Sequence, residues 1–276
     1  MKKFLLLAVC AGTFSFVSAQ LKMPAASPGQ YVKQDFGLSS VELSYSRPAV
    51  KGRTIFGDLV PWNKVWRTGA NGATTITFGD EVTFGGQKVP AGKYGLLTIP
   101  NPTEWTVILT KQLDVTSPAA YKQDQDVARV KVSVDDLPFS LESLLISFSE
   151  VLPSSMELVI GWDRTLVRVP ITTDIDAKIN AQIESLKGKE NFPYFNAAAY
   201  YLEKGKDLNT ALGWFDKAAQ QSPDAYWVFY QKAKCEAKLG KKKEAIASAN
   251  KSIALATAAK NDDYVALNQK LIAMLK

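Results

Sequence analysis

Histidine is absent from the 276 residues of this chain, and cysteine occurs only twice. Without histidine, the sequence excludes Ser-His-Asp triads, Cys-His pairs and the histidine-rich sites that bind zinc, copper or iron. After the first twenty residues, no segment has the roughly 20 consecutive apolar residues that a transmembrane helix needs. We therefore expect no membrane span, no metal and no cofactor, and any acid–base chemistry would depend on carboxylates.

Residues 1–19 have the three parts of a secretory signal peptide. Lys2 and Lys3 form a positive n-region, residues 4–16 form an apolar core, and Val17-Ser18-Ala19 is a small-residue cleavage site. The apolar run is too short to span a bilayer. Cleavage after Ala19 would leave a mature protein in the periplasm or outside the cell. Its single remaining cysteine, Cys235, could form no intrachain disulfide bond.

Charge divides the mature chain into two unlike parts. Residues 20–172 carry 15 basic and 15 acidic side chains, whereas residues 173–276 carry 16 lysines, no arginine and 12 acidic side chains. The positive excess is spread through the second part instead of forming a dense basic stripe with interleaved aromatic residues. We therefore do not expect the protein to bind nucleic acid.

The first part, residues 20–172, has the pattern of β-structure. Short segments alternate apolar and polar residues with the period of two that is typical of half-buried strands. The clearest are residues 41–45, 74–78, 82–84, 96–99, 105–109, 144–148, 156–162 and 165–169. Asp163-Arg164 is predicted to be a tight hairpin, and residues 112–138 a long connection with at most one short strand. Eight or nine strands, spaced by about 8–12 residues, predict an antiparallel β-sandwich.

The second part, residues 173–276, changes to the three-to-four-residue period of helices, most clearly in residues 174–187 and 262–275. Three positions recur after 34 residues, which is the tetratricopeptide period: Ala211, Phe215 and Ala218, then Ala245, Ala249 and Ser252. The sequence thus predicts an all-α, tetratricopeptide-like helical repeat. The whole chain is predicted to be a two-domain α+β protein.

Residues 45–71 concentrate unusual side chains. They contain five cations, two tryptophans and one carboxylate: Arg47, Lys51, Arg53, Lys64, Arg67, Trp62, Trp66 and Asp58. In a structural interpretation, the arginines stack on tryptophan and donate to carbonyls, tethering a loop to the sandwich. In a functional interpretation, the cations converge on an anion, and the tryptophans contact the flat face of a sugar ring.

The functional interpretation makes seven residues candidates for binding an anionic or carbohydrate ligand of the cell envelope. They are Arg47, Lys51, Arg53, Trp62, Trp66, Arg67 and Asn71. Asp58 alone cannot neutralise the cations. Either carboxylates from elsewhere, such as Glu104, Glu157 or Asp163, approach them, or a ligand does.

Two other functions compete with ligand binding. A carboxylate-dependent hydrolase would use the same region, but no spacing pairs Asp58 with Glu104 or Asp163, so the sequence identifies no catalytic residue. A protein-interaction module would instead act through the tail. There, Tyr226, Trp227 and Tyr230 are the candidate partner-binding residues, unless they form interhelical core.

Several short blocks resemble those of one family in their order and spacing. They are Tyr45-Ser46-Arg47-Pro48, Lys51-Gly52-Arg53-Thr54-Ile55-Phe56-Gly57, Trp66-Arg67-Thr68-Gly69-Ala70-Asn71 and Ala91-Gly92-Lys93-Tyr94-Gly95. Over roughly residues 25–170, the chain resembles the exported family called domain of unknown function 2911 (DUF2911), found chiefly in Bacteroidetes. The helical tail is similar to those appended to some members. The resemblance implies a fold and an envelope location, and it says nothing about catalytic activity.

Overall fold

The structure, a computed structural model, describes residues 23–276, so the predicted signal peptide lies outside the described residues. The chain divides into two compact units between Ile175 and Asp176. The first is built of strands and the second of helices, which confirms the predicted α+β, two-domain class.

Nine antiparallel strands, counted over residues 23–175, form the first unit. They are β1 (Gly29–Phe36), β2 (Ser39–Ser46), β3 (Thr75–Phe78), β4 (Val82–Phe84), β5 (Gln87–Val89), β6 (Gly92–Ile99), β7 (Glu104–Thr110), β8 (Asp126–Ser149) and β9 (Ser155–Thr172). Hydrogen bonds connect them in the order β1-β2-β3-β6-β7-β8-β9-β4-β5.

This sheet folds over to form two facing layers, because β8 is long enough to belong to both. Its first part pairs with β7 as far as Ser133, and the rest pairs with β9. The backbone N–H of Ile146 in β8 donates to the hydroxyl of Tyr45 in β2 at 3.0 Å. In a flat sheet, strands four places apart would lie roughly 19 Å from each other. This contact therefore confirms the predicted antiparallel β-sandwich.

A large hydrophobic core fills the space between the layers. Along β2, Val41, Leu43 and Tyr45 are buried, whereas the residues between them are not, as the alternating pattern predicts. The largest core side chains are Trp105 of β7 and Trp162 of β9, each at most 1% exposed. Burial of a large apolar side chain contributes about 1.5–3 kcal/mol to stability.

Two strand predictions were wrong. Asp163-Arg164 is not a hairpin, because β9 continues through it to Thr172. Asp163 has φ 51° and pairs with Leu141 where the register of β8 shifts, so the dipeptide marks a bulge instead of a turn. Residues 112–138 are not one long connection, because β8 already begins at Asp126. β1 was missed altogether.

Six α-helices, counted over residues 176–276, form the second unit. They are α1 (Asp176–Leu186), α2 (Tyr194–Glu203), α3 (Leu208–Gln221), α4 (Tyr226–Lys238), α5 (Lys242–Ala258) and α6 (Asp262–Leu275). The repeated positions Ala211, Phe215 and Ala218 lie on α3, and their counterparts lie on α5. All are at most 3% exposed, so the 34-residue period places equivalent residues in interhelical contacts. Within residues 23–276, no helix is long and apolar enough to cross a membrane.

Candidate functional site

Residues 47–74 connect β2 to β3, and backbone hydrogen bonds hold this β2–β3 connection to both layers. Near its start, Pro48 accepts a hydrogen bond from the backbone N–H of Leu144 in β8 at 2.9 Å. Further along, Trp66 and Thr98 of β6 exchange two backbone hydrogen bonds, of 2.7 and 3.0 Å. The connection therefore passes from one layer to the other with both ends fixed.

Arg47 and Arg53 bind backbone carbonyls. Nε of Arg47 donates to the carbonyl of Leu144 at 3.0 Å. The guanidinium of Arg53 donates to the carbonyls of Val50 and Ala49, at 3.0 and 2.5 Å. These bonds order the connection, as the structural interpretation predicts, but they leave both positive charges unneutralised.

Arg67 links two parts of the chain that are distant in sequence. Its Nε donates to the carbonyl of Gly69 at 3.4 Å, and one terminal nitrogen donates to the carbonyl of Thr116. Thr116 belongs to the segment between β7 and β8. The guanidinium thus joins this segment to the β2–β3 connection through carbonyl groups, and no carboxylate pairs with it in the described structure.

The cations of the connection meet no carboxylate. In the part of the chain that the structure describes, Arg47, Lys51, Arg53, Lys64 and Arg67 form no ion pair. The three carboxylates considered as partners lie elsewhere: Glu104 contacts Lys131 (2.7 Å), Glu157 contacts Arg168 (3.6 Å), and Asp163 accepts from Ser140 (2.7 Å). Glu142 does reach the connection, but it accepts from the backbone N–H of Lys51 at 2.9 Å.

A cavity of about 440 Å³ opens beside the connection. Three cations line it, Arg53, Lys64 and Arg67, together with Trp66 and parts of residues 59–70. Segments that are distant in sequence complete the wall: Ser27, Thr116, Ser117, Pro118 and Trp162. Among the described residues that line the cavity there is no aspartate and no glutamate. Its volume is within the range of small-molecule sites, roughly 300–1,000 Å³.

Five aromatic rings form a cluster beside the cavity. Trp66 stacks on Trp162, with ring centroids 5.8 Å apart and planes inclined by 16°. Phe56 contacts Trp105 edge-on at 4.9 Å and stacks on Trp62 at 5.8 Å. The predicted stacking of arginine on tryptophan was wrong, because the cation–π contacts seen over residues 23–276 involve lysines of the helical unit.

Thr68, next to Arg67, has an unusual backbone conformation. Its φ of 55° lies in the left-handed region, which β-branched residues rarely adopt. The residue is completely buried, and its hydroxyl lies 3.0 Å from the hydroxyl of Thr98. Its carbonyl accepts a hydrogen bond of 2.8 Å from the Thr74 hydroxyl. A strained conformation costs about 1–3 kcal/mol and is common at binding sites, where the surrounding structure enforces it.

A hydrogen-bonded cluster anchors the segment that carries Thr116. Tyr121 donates to Asp126 at 2.6 Å, and Arg129 donates to the same carboxylate oxygen at 2.7 Å. Desolvation, with the hydrogen bond to Asp126 as the next cause, raises the pKa of Tyr121 to about 12. The phenol is therefore protonated at physiological pH. Val115 of the same segment is buried. The segment is therefore held on both sides of Thr116 and Ser117, by Val115 and by the Tyr121 cluster.

The structure brings three of the seven candidate ligand-binding residues to the cavity wall, Arg53, Trp66 and Arg67. The described lining does not include the other four, Arg47, Lys51, Trp62 and Asn71. Asn71 instead donates to the carbonyl of Ser27 at 3.0 Å. Lys64 lines the cavity although it was not a candidate. Ser27, Thr116 and Trp162 could not have been found from the local sequence, because only the folded sandwich brings them together.

The candidate partner-binding residues of the tail have different environments. Tyr226 and Tyr230 contact the ring of Tyr264 in α6, with centroids 4.8 and 5.6 Å apart. Trp227 is 41% exposed. Partner binding through Tyr226, Trp227 and Tyr230 stays a prediction.

Other reactive groups lie outside the cavity. Cys235 is buried in α4, and desolvation raises the pKa of its thiol to about 11, so the reactive thiolate is scarce at neutral pH. Over residues 23–276, no group of three or more cysteine or carboxylate side chains is arranged to hold a metal ion.

The fold and the cavity define a class of protein: an antiparallel β-sandwich with a cationic, tryptophan-lined cavity, followed by a helical repeat. A family model described as "protein of unknown function (DUF2911)" matches residues 27–171. The chain belongs to this family, and the match covers β1 and extends almost to the end of β9. No curated protein and no solved structure matches the chain.

Proposed function

We propose that the β-sandwich domain binds an anionic ligand in the cavity beside the β2–β3 connection. The observation that carries this proposal is the charge of the wall. Arg53, Lys64 and Arg67 line the cavity, and its described lining contains no carboxylate. Arg53 and Lys64 are exposed and Arg67 is partly buried, so all three can offer N–H donors to a bound anion.

The arginines are also prepared for binding. A guanidinium carries five N–H donors, and the carbonyl bonds of Arg53 and Arg67 use only some of them. These bonds restrict the side chains without neutralising them. The entropy cost of fixing the arginines is therefore met by folding and does not reduce the affinity for a ligand.

The domain would act as a non-catalytic binding or scaffolding module. With the signal peptide predicted over residues 1–19, the module would act in the periplasm or outside the cell. A carboxylate-dependent hydrolase would need two carboxylates facing the cavity, and no residue of the described lining supplies one. Ligand binding is therefore the function that the geometry supports best.

A thermal-shift screen with sulfate, phosphate and citrate tests this proposal, with sodium chloride at matched ionic strength as the reference. A ligand at 100 times its Kd stabilises the folded state by about 2.7 kcal/mol, which raises Tm by roughly 5–10 °C. At least one anion should raise Tm, and Lys64→Gln should reduce that shift.

The matched control is Lys88→Gln, which removes an exposed lysine of β5 that is not part of the described lining. This variant should keep the full shift. If no anion exceeds the chloride reference, or if both variants behave alike, the proposal is contradicted.

A further inference from the structure

We infer that the anion belongs to a saccharide: a sugar ring that bears a carboxylate, sulfate or phosphate group. This inference rests on the proposed function and concerns the same cavity. It follows from the parts of the wall that a simple anion would leave unused, namely a group of hydroxyls and a flat apolar surface.

Three side chains supply the hydroxyls: Ser27, Thr116 and Ser117. All three residues line the cavity, and none of their side chains forms a hydrogen bond within the described chain. A hydroxyl both donates and accepts, whereas arginine and lysine only donate. An inorganic anion or an aliphatic acid offers mainly hydrogen-bond acceptors, and the N–H donors of the three cations are enough to bind these. A ligand with its own hydroxyls also needs acceptors, and these side chains supply them.

The apolar surface comes from the partly buried ring of Trp66 and the exposed rings of Pro61 and Pro118. Trp162 is only 1% exposed and supports this surface by stacking on Trp66. These rigid, flat groups lie in the same cavity as the cations and the hydroxyls. A sugar ring has one face of C–H groups, which packs against such surfaces, and a rim of hydroxyls. A charged substituent on that ring would bind the cations, so the ring, its hydroxyls and its charge each meet a matching part of the cavity wall. Sulfate has no apolar face, and a fatty acid has no hydroxyl rim.

An acidic peptide fits the wall less well. An extended peptide is held through backbone groups that are open for pairing. Along this wall, Trp66 is already paired with Thr98 through both of its backbone groups. The carbonyls of Gly69 and Thr116 are occupied by Arg67. The free groups are side-chain hydroxyls and cations, which favour a polyhydroxylated anion.

Isothermal titration calorimetry on the full chain tests the inference with four probes. These are a disaccharide containing a hexuronic acid, its neutral counterpart with a primary alcohol in place of the carboxylate, benzoate, and a short acidic peptide. The hexuronic disaccharide should bind at least tenfold more tightly than each of the other three, because it alone has the charge, the apolar face and the hydroxyls.

The outcomes separate this inference from the proposed function. If benzoate or the peptide binds as tightly as the disaccharide, the saccharide inference is overturned while anion binding stands. If the neutral disaccharide binds equally well, the charge is irrelevant and the proposed function fails. If no probe binds, the saccharide inference is overturned, and the thermal-shift screen alone decides the proposed function. In a separate co-sedimentation assay, binding to phosphatidylglycerol vesicles without binding to the free disaccharide would overturn the inference in favour of a membrane surface.

Variants of the exposed hydroxyls add a readout that fold stability does not affect. Ser117→Ala combined with Thr116→Val should weaken the disaccharide several-fold and leave the affinity for benzoate unchanged. Ser133→Ala, an exposed serine of β8, is the control and should change neither affinity. Unchanged disaccharide binding by the double variant would remove the basis of the inference.

Discussion

At the scale of single residues, the site depends on how Arg67 is presented. Its guanidinium is tethered by the carbonyls of Gly69 and Thr116, and the residue that follows it, Thr68, has a left-handed backbone. The hydroxyls of Thr98 and Thr74 hold that conformation. Strain in the backbone is thus offset by buried hydrogen bonds, and the result is an arginine fixed at the cavity wall.

Substitution of Thr68 by valine tests this balance. Valine has the same shape but no hydroxyl, so the buried hydroxyl of Thr98 loses its partner. An unsatisfied buried polar group costs about 1–3 kcal/mol, and the free energy of unfolding in urea should fall by that amount.

The control for Thr68→Val is Thr77→Val on β3, whose side chain is only partly buried and has no hydrogen bond in the described structure. It should change stability by less than about 0.5 kcal/mol. Equal effects of the two substitutions would show that the Thr68–Thr98 contact contributes nothing.

At the scale of elements, the segment between β7 and β8 forms one wall of the cavity, and the contacts of Tyr121 with Asp126 and Arg129 anchor it. The phenol acts as a donor, so its role depends on protonation. A pKa of about 12, raised from 10.0, means that folding favours the protonated form. The stability that this group contributes is complete below pH 10 and is lost as the pH rises through about 12.

Tyr121→Phe should therefore remove part of the alkaline loss of stability. Between pH 10 and 12, the wild type should lose more unfolding free energy than the variant, measured by urea unfolding at each pH. Tyr94→Phe is the comparison: the Tyr94 hydroxyl donates to the carbonyl of Pro90, and burial alone raises its pKa, so this variant should remove a smaller part of the alkaline loss. Parallel pH profiles for Tyr121→Phe and the wild type would contradict the anchoring role.

Elements with a regular pattern could be predicted from the sequence. The alternation in β2 and the 34-residue repeat of α3 and α5 reflect burial on one face, which local periodicity reports directly. The bulge at Asp163 could not be predicted, because an Asp-Arg pair between two apolar runs has the composition of a turn. Only its pairing with Leu141 shows that β9 continues.

Only part of the cavity wall could be predicted from the sequence, because only some of its residues lie in a stretch that is unusual on its own. Arg53, Trp66 and Arg67 were found because they lie in one conspicuous stretch. The tryptophans were expected to meet arginines, yet they pack on other aromatic rings, since a buried apolar cluster stabilises the core more than an exposed cation–π pair does. Trp162 gave no signal as a lining residue, because it reads simply as part of a core strand.

At the scale of the whole molecule, the cavity belongs to the sandwich as a folded unit. Its wall combines Ser27 before β1, the β2–β3 connection, the segment after β7 and Trp162 of β9. These groups come from four separate segments of the sequence, so the cavity exists only when the whole sandwich is folded. The surplus of lysine lies in the helical unit, so the charge of the cavity is a local property of a domain whose net charge is zero.

The central claim is that an anion binds in this cavity, and tryptophan side chains report on it directly. The chain has six tryptophans, each with one indole N–H signal in a ¹H–¹⁵N correlation spectrum. Titration with the anion that gives the largest thermal shift should shift the signals of Trp66 and Trp162 saturably, and leave those of Trp214 and Trp227 in the helical unit unchanged. Substitution by phenylalanine assigns the signals. Shifts confined to the helical unit, or no saturable shift at Trp66 and Trp162, would contradict the account.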